Sequence, residues 1–203
     1  MNTAQLQKLP RTFYQKKVLQ IAPKLLGKYL VKKEGKQYLV GKIVEVEAYE
    51  DKVDEASHAF RGLTKRNKEM FGPAGRLYVY FIYGNHFCCN IVCDKEGIGS
   101  AILIRGLEPI DGVEVMAERR FNRTELTHKQ FLNLSNGPGK ICKALNISKI
   151  ENGIDLCGEE IFLAEGEKVS PKNVVQSSRI GINKSTELLW RYFIKDNPFV
   201  SSK

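Results

Sequence analysis

The sequence lacks the features that mark several whole classes of protein. Its 203 residues contain no run of about eighteen apolar residues, so no transmembrane helix is predicted. The first seventeen residues, MNTAQLQKLPRTFYQKK, lack the apolar core and small-residue cleavage site of a signal peptide, which favours a cytoplasmic location. No linker rich in proline, glycine or serine and no internal repeat interrupts the chain, so one domain over residues 1–203 is predicted.

The five cysteines form no recognisable pairing pattern. Their number is odd and none belongs to a C-x-x-C pair, which agrees with a reducing compartment. The stretch HFCCNIVC, residues 86–93, places one histidine and three cysteines close in sequence. In a strand, however, Cys88 points to the opposite face from Cys89 and Cys93, so these groups do not converge on a metal ion. We therefore predict buried thiols, no metal site and no cofactor.

Acidic residues are scarce at the start of the chain. None precedes Glu34, whereas eight lysines and arginines do, and the whole sequence carries a net charge of +9 with a pI of about 9.3. Domains this basic commonly bind polyanions, either nucleic acid or anionic lipid. A solvated basic helix face explains the same run equally well, so charge alone leaves these interpretations open.

The hydrophobic pattern predicts an α+β fold. Strands and helices do not alternate as they do in a doubly wound sheet, so a mainly antiparallel sheet is expected. The predicted helices cover residues 13–27 (bent or restarted at Pro23 and ended by Gly27), 111–121 (capped by Asp111) and 138–145. The predicted strands form a hairpin around the turn at residues 34–36 and continue at 76–93, 99–106, 179–182 and 190–196.

The stretch IVEVEAYE, residues 43–50, is the most informative segment. As a strand it places Val44, Val46 and Ala48 on one face, and on the other Glu45, Glu47 and Tyr49. An amphipathic strand with a wet outer face explains this alternation. Two carboxylates beside an aromatic ring also suit a catalytic site.

Further aromatic groups follow along the chain. His58 lies in a long charged loop, EDKVDEASHAFRGLTKRN, and loops of this length are often functional. In LYVYFIYGNHF, Tyr78 and Tyr80 share a strand face, while Tyr83 stands immediately before a turn at Gly84–Asn85. A flat heterocycle held between rings beside a carboxylate is how enzymes bind an extruded nucleobase, and a ring at a hairpin tip can fill the gap it leaves.

Several linked motifs resemble, in order and spacing, the 3-methyladenine DNA glycosylase family of the alkyladenine type. They are VEVEAYEDKVDEASHAFRG, RNKEMFGPAGRLYVYFIYGNHFCCNIV, AILIRGLEPIDG, SNGPGKIC and RIGI, and the likeness covers nearly the whole chain. The resemblance implies a single mixed domain built on a curved antiparallel sheet, with flanking helices and a protruding β-hairpin.

The resemblance also implies roles for individual residues. Glu47 matches the family's general base, Arg105 the arginine that holds the attacking water, and Ile180 the residue whose main-chain carbonyl helps to hold it. The base-stacking residues match Tyr49, His58 and Tyr80, and Asn90 matches the side chain that crowds the amino group of guanine. Tyr83 matches the intercalating residue, and Tyr78 is expected to be a packing residue. Contacts to the DNA backbone are expected from Lys65, Arg66, Asn67, Gly139 and Lys140.

The activity implied is hydrolysis of the N-glycosidic bond of damaged purines in double-stranded DNA, the first step of base excision repair. Water rather than a lysine is the nucleophile, so no strand cleavage and no covalent adduct trapped by borohydride are expected. The enzyme is expected to act as a monomer without a cofactor and, in a bacterium, to associate with the nucleoid. Lys65 and Asn85 depart from the usual residues, proline and a bulky apolar residue, so their effects on flipping and lesion preference stay open.

Competing functions differ in what they require of the sequence. A zinc nucleobase deaminase should show an H-x-E and a P-C-x-x-C motif, and neither is present. NGPGK at residues 136–140 does not satisfy the phosphate-loop pattern and is expected to begin a helix. A non-catalytic protein that recognises damaged or unstacked bases remains the alternative, and it would not require Glu47 or Arg105.

Overall fold

One antiparallel sheet organises the chain. The computed structural model describes residues 6–201, so residues 1–5 and 202–203 of the predicted domain lie outside it. The eight strands are β1 Tyr29–Glu34, β2 Gln37–Tyr49, β3 Leu77–Ile82, β4 His86–Val92, β5 Ala101–Asp111, β6 Ile161–Ala164, β7 Val174–Ser177 and β8 Arg191–Ile194. Their order is β3-β4-β5-β2-β1-β6, with β8 paired to both β2 and β7. The predicted α+β fold is confirmed.

Five short helices flank the sheet. They are α1 Arg11–Tyr14, α2 Val18–Ile21, α3 Val113–Phe121, α4 His128–Leu132 and α5 Pro138–Ala144. Helix α5 packs against β4 and β5, and α3 packs against α5. No helix of the described part of the chain is both long enough and apolar enough to cross a membrane.

Three predictions of local structure are wrong. Residues 13–27 do not form one helix: α1 and α2 are separate, and the chain restarts beside Pro23 as a 3₁₀ turn over Ala22–Leu25, because Pro23 lacks an N–H group. Asp111 ends β5 instead of capping α3, and Gly112 (φ 70°) occupies the N-cap position. Residues 179–182 form no strand: the chain bends at Ile180 and Gly181.

Strand β2 is the centre of the sheet, and its register is irregular where the two glutamates lie. Its pairing with β5 shifts between Ile43 and Val46, which is a β-bulge. The predicted apolar face is therefore corrected: Ile43 joins Val46 and Ala48 in the main core, whereas Val44 is buried outside that cluster. Because β1 pairs with the first half of β2 and β8 with residues 45–47, the glutamate segment has a strand on both sides.

Half of the basic N-terminal run is paired within the fold. Four of its eight lysines and arginines form ion pairs with acidic residues that come late in the sequence, namely Lys8–Glu159, Arg11–Asp155, Lys28–Glu165 and Lys32–Glu151. These four cations are not a solvated basic face, and they are not free to bind a polyanion without breaking an ion pair.

Candidate active site

A cavity of about 310 Å³ opens between the sheet and the loops around it. Its volume lies at the lower end of the range for small-ligand sites, about 300–1,000 Å³. The predicted pocket, wedge and catalytic residues that line it are Tyr49, His58, Tyr80, Tyr83, Asn90, Arg105 and Ile180. Glu47 lies fully buried behind this lining. The structure thus brings together residues that the sequence separates by up to 133 positions.

Three donors hold the Glu47 carboxylate. The Tyr49 hydroxyl donates to Oε2 at 2.8 Å, and Arg105 Nη1 reaches the same oxygen at 3.4 Å. The Ile180 N–H donates to Oε1 at 2.7 Å. Ile180 therefore contacts Glu47 through its N–H group, while the role expected of its carbonyl stays a prediction.

The electrostatic environment of Glu47 makes it a stronger base than an exposed glutamate. Burial raises the pKa of its carboxyl group above the ordinary value, against the charge of Arg105 and the hydrogen bonds from Ile180 and Tyr49. Burial also raises the pKa of Tyr49 well above its usual range, so this hydroxyl keeps its proton and remains a donor. The site combines a carboxylate of raised basicity with fixed neighbours, as a general base requires.

Aromatic rings form one wall of the cavity. His58 meets Tyr80 edge-on at a centroid distance of 4.6 Å, and Tyr80 lies 5.6 Å from Tyr78 at an interplanar angle of 32°. The hydroxyl of the fully buried Tyr78 is 3.1 Å from His58 Nδ1, and burial raises the pKa of Tyr78 to about 12. Tyr78 therefore packs against the other rings, lines the cavity with little exposed surface, and orients His58.

Strand β4 supplies the floor. Asn90 is 4% exposed, and its Nδ2 donates to the Tyr78 carbonyl at 3.1 Å, which fixes the amide at the cavity surface. Cys88 also lines the cavity, whereas Cys89 and Cys93 belong to the main core, so the predicted division of these thiols between two faces is confirmed. Within residues 6–201, no cluster of three or more His, Cys, Asp or Glu side chains is placed to hold a metal ion.

Tyr83 projects from the hairpin of β3 and β4. It opens the three-residue turn at a φ of 54°, followed by Gly84 at 72°, and its side chain is 80% exposed at the cavity mouth. Positive φ at successive residues is typical of tight hairpin turns and directs the ring away from the sheet. The predicted wedge residue thus lies at the tip of a protruding hairpin.

Asn67 has a different position from the one expected of a DNA contact. It is 1% exposed, its Nδ2 donates to the carbonyls of His58 and Gly62, and its Oδ1 accepts from Thr64. This side chain is fully used inside the loop that carries His58. The expectation that it contacts a phosphate is corrected: Asn67 holds the loop together, while Lys65 and Arg66 beside it are exposed.

The N-terminal end of α5 borders the hairpin. Pro138 lines the cavity, and a Cβ atom added at Gly139 would lie 3.1 Å from the His86 ring, so this position favours a small residue. Lys140 Nζ donates to the side chains of Asn133 and Asn136 at 3.0 and 2.7 Å. Burial and the charge of Arg120 lower the pKa of Lys140, which remains half-buried near the surface.

Sequence reasoning missed a buried ion pair behind the cavity. Arg179 Nη2 and Nη1 donate to the two carboxylate oxygens of Asp54, and both side chains are fully buried. The Arg179 guanidinium lies 4.6 Å from the Tyr49 ring and 5.4 Å from the Trp190 ring. Arg179 belonged to a matched motif, but Asp54 is one of several acidic residues in its loop, and no local pattern distinguishes it.

Comparison with known proteins agrees with this geometry. The Methylpurine-DNA glycosylase (MPG) family matches residues 12–198. A protein of Alkaliphilus oremlandii is 47% identical over 202 residues, covering 97% of this chain and all of the relative. Relatives from Clostridium acetobutylicum (46%; 96% of this chain, 97% of the relative) and Legionella pneumophila (43%; 97% and 99%) match similarly. All three carry the name "Putative 3-methyladenine DNA glycosylase".

The resemblance noted from the sequence motifs is therefore confirmed over nearly the full length of the chain. An enzyme of this kind is a hydrolase of N-glycosidic bonds and acts in DNA repair. The chain belongs to the methylpurine-DNA glycosylase family.

Proposed function

We propose that the enzyme flips damaged purines out of duplex DNA and hydrolyses their N-glycosidic bond with an activated water molecule. Its substrates are 3-methyladenine and related alkylated or deaminated purines. The observation that carries this proposal is a fully buried carboxylate, Glu47, held by three donors at the back of a cavity walled by aromatic rings. The names of the similar proteins support the choice of lesion.

Base binding rests on the aromatic wall and on burial. Tyr49, His58 and Tyr80 offer ring surfaces on which a flipped purine stacks, and each such contact contributes about 1–3 kcal/mol. The cavity of about 310 Å³ suits one heterocycle better than a base pair. Asn90, fixed by the Tyr78 carbonyl, is positioned to crowd the exocyclic amino group of guanine.

Glu47 acts on the sugar and on water. As the bond between C1′ and the purine nitrogen breaks, positive charge develops on the sugar, and the carboxylate stabilises it. Glu47 accepts the proton of the water whose oxygen bonds to C1′, and base catalysis of this kind contributes about 10²–10⁴-fold. Arg105 and the Ile180 carbonyl hold that water. A cationic alkylated purine leaves as the neutral base, whereas a neutral deaminated purine requires protonation.

The DNA is held outside the cavity. Tyr83 fills the gap that the flipped nucleotide leaves, because it is exposed at the hairpin tip and borders the cavity. Lys65, Arg66, Gly139 and Lys140 contact backbone phosphates on either side. A monomer suffices, since one bent duplex reaches one cavity. We place the enzyme in the cytoplasm and, in a bacterium, at the nucleoid.

The test is single-turnover release of 3-methyladenine and hypoxanthine from lesion-containing duplexes by the wild type and Glu47→Gln. We expect release by the wild type and none by the variant, which should still bind the DNA. Glu151→Gln is the matched control, because Glu151 is also a buried, paired glutamate but lies away from the cavity.

Two outcomes contradict the proposal. Release of bases by Glu47→Gln at the wild-type rate would remove Glu47 from the mechanism. Binding without release by the wild type would leave the alternative, a protein that recognises damaged bases without catalysis. Borohydride treatment of the reaction should trap no covalent adduct with DNA, since no lysine among residues 6–201 lines the cavity.

A further inference from the structure

A second glutamate of β2, Glu45, has no role in the mechanism above, yet it is as deeply buried as Glu47. It does not line the cavity. Its Oε1 accepts from Arg191 Nε at 2.7 Å and from Arg105 Nε at 3.3 Å, and its Oε2 accepts from the Ser201 N–H at 2.5 Å. Burying a carboxylate is costly, so this one is retained by contacts to charged and polar partners.

The guanidinium of Arg105 contacts three different partners. Nε points to Glu45, Nη1 to Glu47 at 3.4 Å, and Nη2 to the Ser201 hydroxyl at 3.3 Å. A guanidinium beside a single carboxylate prefers two parallel, shorter hydrogen bonds of about 2.7–2.9 Å. The contacts with Glu47 at 3.4 Å and with Glu45 at 3.3 Å are both longer than this, so Arg105 lies between the two carboxylates and forms a closed pair with neither.

The position of the C-terminal segment completes this arrangement. A Cβ atom at Gly106, the partner of Glu45 in β5, would lie 2.8 Å from the Phe199 carbonyl. The absence of a side chain at Gly106 therefore allows the chain at residues 199–201 to pack on the sheet and brings Ser201 to both Glu45 and Arg105. The three groups form one connected set.

We propose that Glu45 is a positioning residue that holds Arg105 back from Glu47, so that Glu47 keeps a free lone pair for the attacking water. The inference rests on the proposed role of Glu47 as the base. Without the charge of Glu45, Arg105 turns towards Glu47 and closes a bidentate ion pair. That pair occupies the oxygen that accepts the proton and weakens it as a base.

The pH profile distinguishes this role from a structural one. Burial raises the pKa of Glu47, and the negative charge of Glu45 raises it further, whereas Arg105 lowers it. Loss of the Glu45 charge and closer approach of Arg105 both lower the pKa of Glu47. Both therefore move the acidic limb of the pH–rate profile to lower pH. The titratable or charged groups that face Glu47 and Glu45 from all sides are Tyr49, Tyr80, Cys88, Arg105, Arg179 and Arg191.

The experiment compares Glu45→Gln and Glu45→Asp with the wild type in single-turnover release of 3-methyladenine across pH. For Glu45→Gln we expect unchanged affinity for lesion DNA and a rate lower by about 10- to 100-fold, the scale of a misplacement near 1 Å. Its acidic limb should move to lower pH. Glu45→Asp retains the charge and should recover part of the rate. Glu151→Gln should show none of these changes.

The opposite outcomes overturn the proposal. An unchanged rate, or a lower rate with the acidic limb unmoved or at higher pH, means that Glu45 acts only on the stability of the fold. If Glu45→Gln does not fold, Ser201→Ala decides, because it removes one anchor of Arg105, the hydroxyl of the half-buried Ser201, and leaves the charge of Glu45 in place. Ser201→Ala should lower the rate and move the acidic limb of the pH–rate profile to lower pH, both by smaller amounts than Glu45→Gln. If the rate and the limb both stay unchanged, the proposal is contradicted.

The two proposals fail separately. If Glu47→Gln releases bases, the assigned function of Glu47 fails whatever Glu45 does. If Glu47→Gln is inactive while Glu45→Gln matches the wild type in rate and pH profile, only the positioning role is lost.

Discussion

Replacement of Asp54 by alanine is expected to uncouple two loops that meet behind the cavity. Asp54 and Arg179 are both fully buried and joined by two hydrogen bonds. Arg179 also donates to the Ala48 carbonyl at 2.9 Å and lies against the Tyr49 ring. The next residue, Ile180, donates to Glu47. The ion pair therefore supports both a wall of the cavity and a donor to the carboxylate of Glu47, the proposed base.

The expected loss of stability follows from the burial of the pair. Removal of one partner leaves a buried charge without compensation, which costs about 3–5 kcal/mol. For a domain of 150–250 residues each kcal/mol lowers Tm by about 2–4 °C, so Asp54→Ala should lower Tm by about 6–20 °C. The excision rate, measured well below either Tm, should fall as well, because Ile180 and Tyr49 lose their support.

The assay is thermal unfolding by circular dichroism together with single-turnover base release. Glu55→Ala is the matched control: Glu55 is the next residue, and its pair with Lys184 joins the same two loops at 2.7 Å but is exposed. Exposed pairs contribute little, so this variant should unfold and react like the wild type.

Two results would refute this reasoning. One is an equal change in Tm for the Asp54 and Glu55 variants, which would mean that burial of the pair is irrelevant. The other is failure of the double variant Asp54→Ala/Arg179→Met to be more stable than Asp54→Ala alone. Removal of both charges should relieve the penalty of the unpaired guanidinium.

Three further predictions concern the pH dependence of the rate and the contacts with DNA. Burial raises the pKa of Glu47, and the base must be ionised to act. The rate on 3-methyladenine should therefore rise with pH, and the midpoint of this rise should lie above the ordinary pKa range of glutamate. A midpoint at or below that range contradicts the assignment. Lys65→Ala should reduce the salt dependence of DNA binding by about one phosphate contact, read from log Kd against log salt concentration. Asn67→Ala should leave that slope unchanged but lower the free energy of unfolding by about 1–3 kcal/mol, because it leaves buried carbonyls without donors. If Asn67→Ala does change the slope, Asn67 contacts a phosphate after all.

Much of the sheet could be predicted because strand alternation is a local property. The turn at residues 34–36, the β3–β4 hairpin and the strand at 190–196 are all confirmed. The helix over 13–27 could not be predicted correctly, since its apolar spacing fits both one helix and the two short helices that surround a break. The bends at 179–182 depend on the buried Arg179, whose partner Asp54 lies 125 residues away.

In the candidate site, too, local patterns could be predicted and long-range contacts could not. Motif matches indicated the residues that meet in the cavity, and the alternation of β4 correctly separated Cys88 from Cys89. The structure altered two expectations. Asn67 is a polar residue in a charged loop, which is typical of the surface, but its side chain is buried and donates hydrogen bonds within that loop. Glu45 is held by three partners instead of facing solvent.

The sequence by itself determined which chemical groups the enzyme has and in what order they project. Two carboxylates alternate along one strand and two tyrosines along another, because side chains of a strand alternate with a period of two. Only the tertiary structure decided what surrounds them. Two of the three donors to Glu47 come from positions 58 and 133 residues away, and four of the eight basic residues before Glu34 pair with acids far along the chain. Burial and pairing depend on atoms within a few ångströms in space, which a local pattern of residues does not contain.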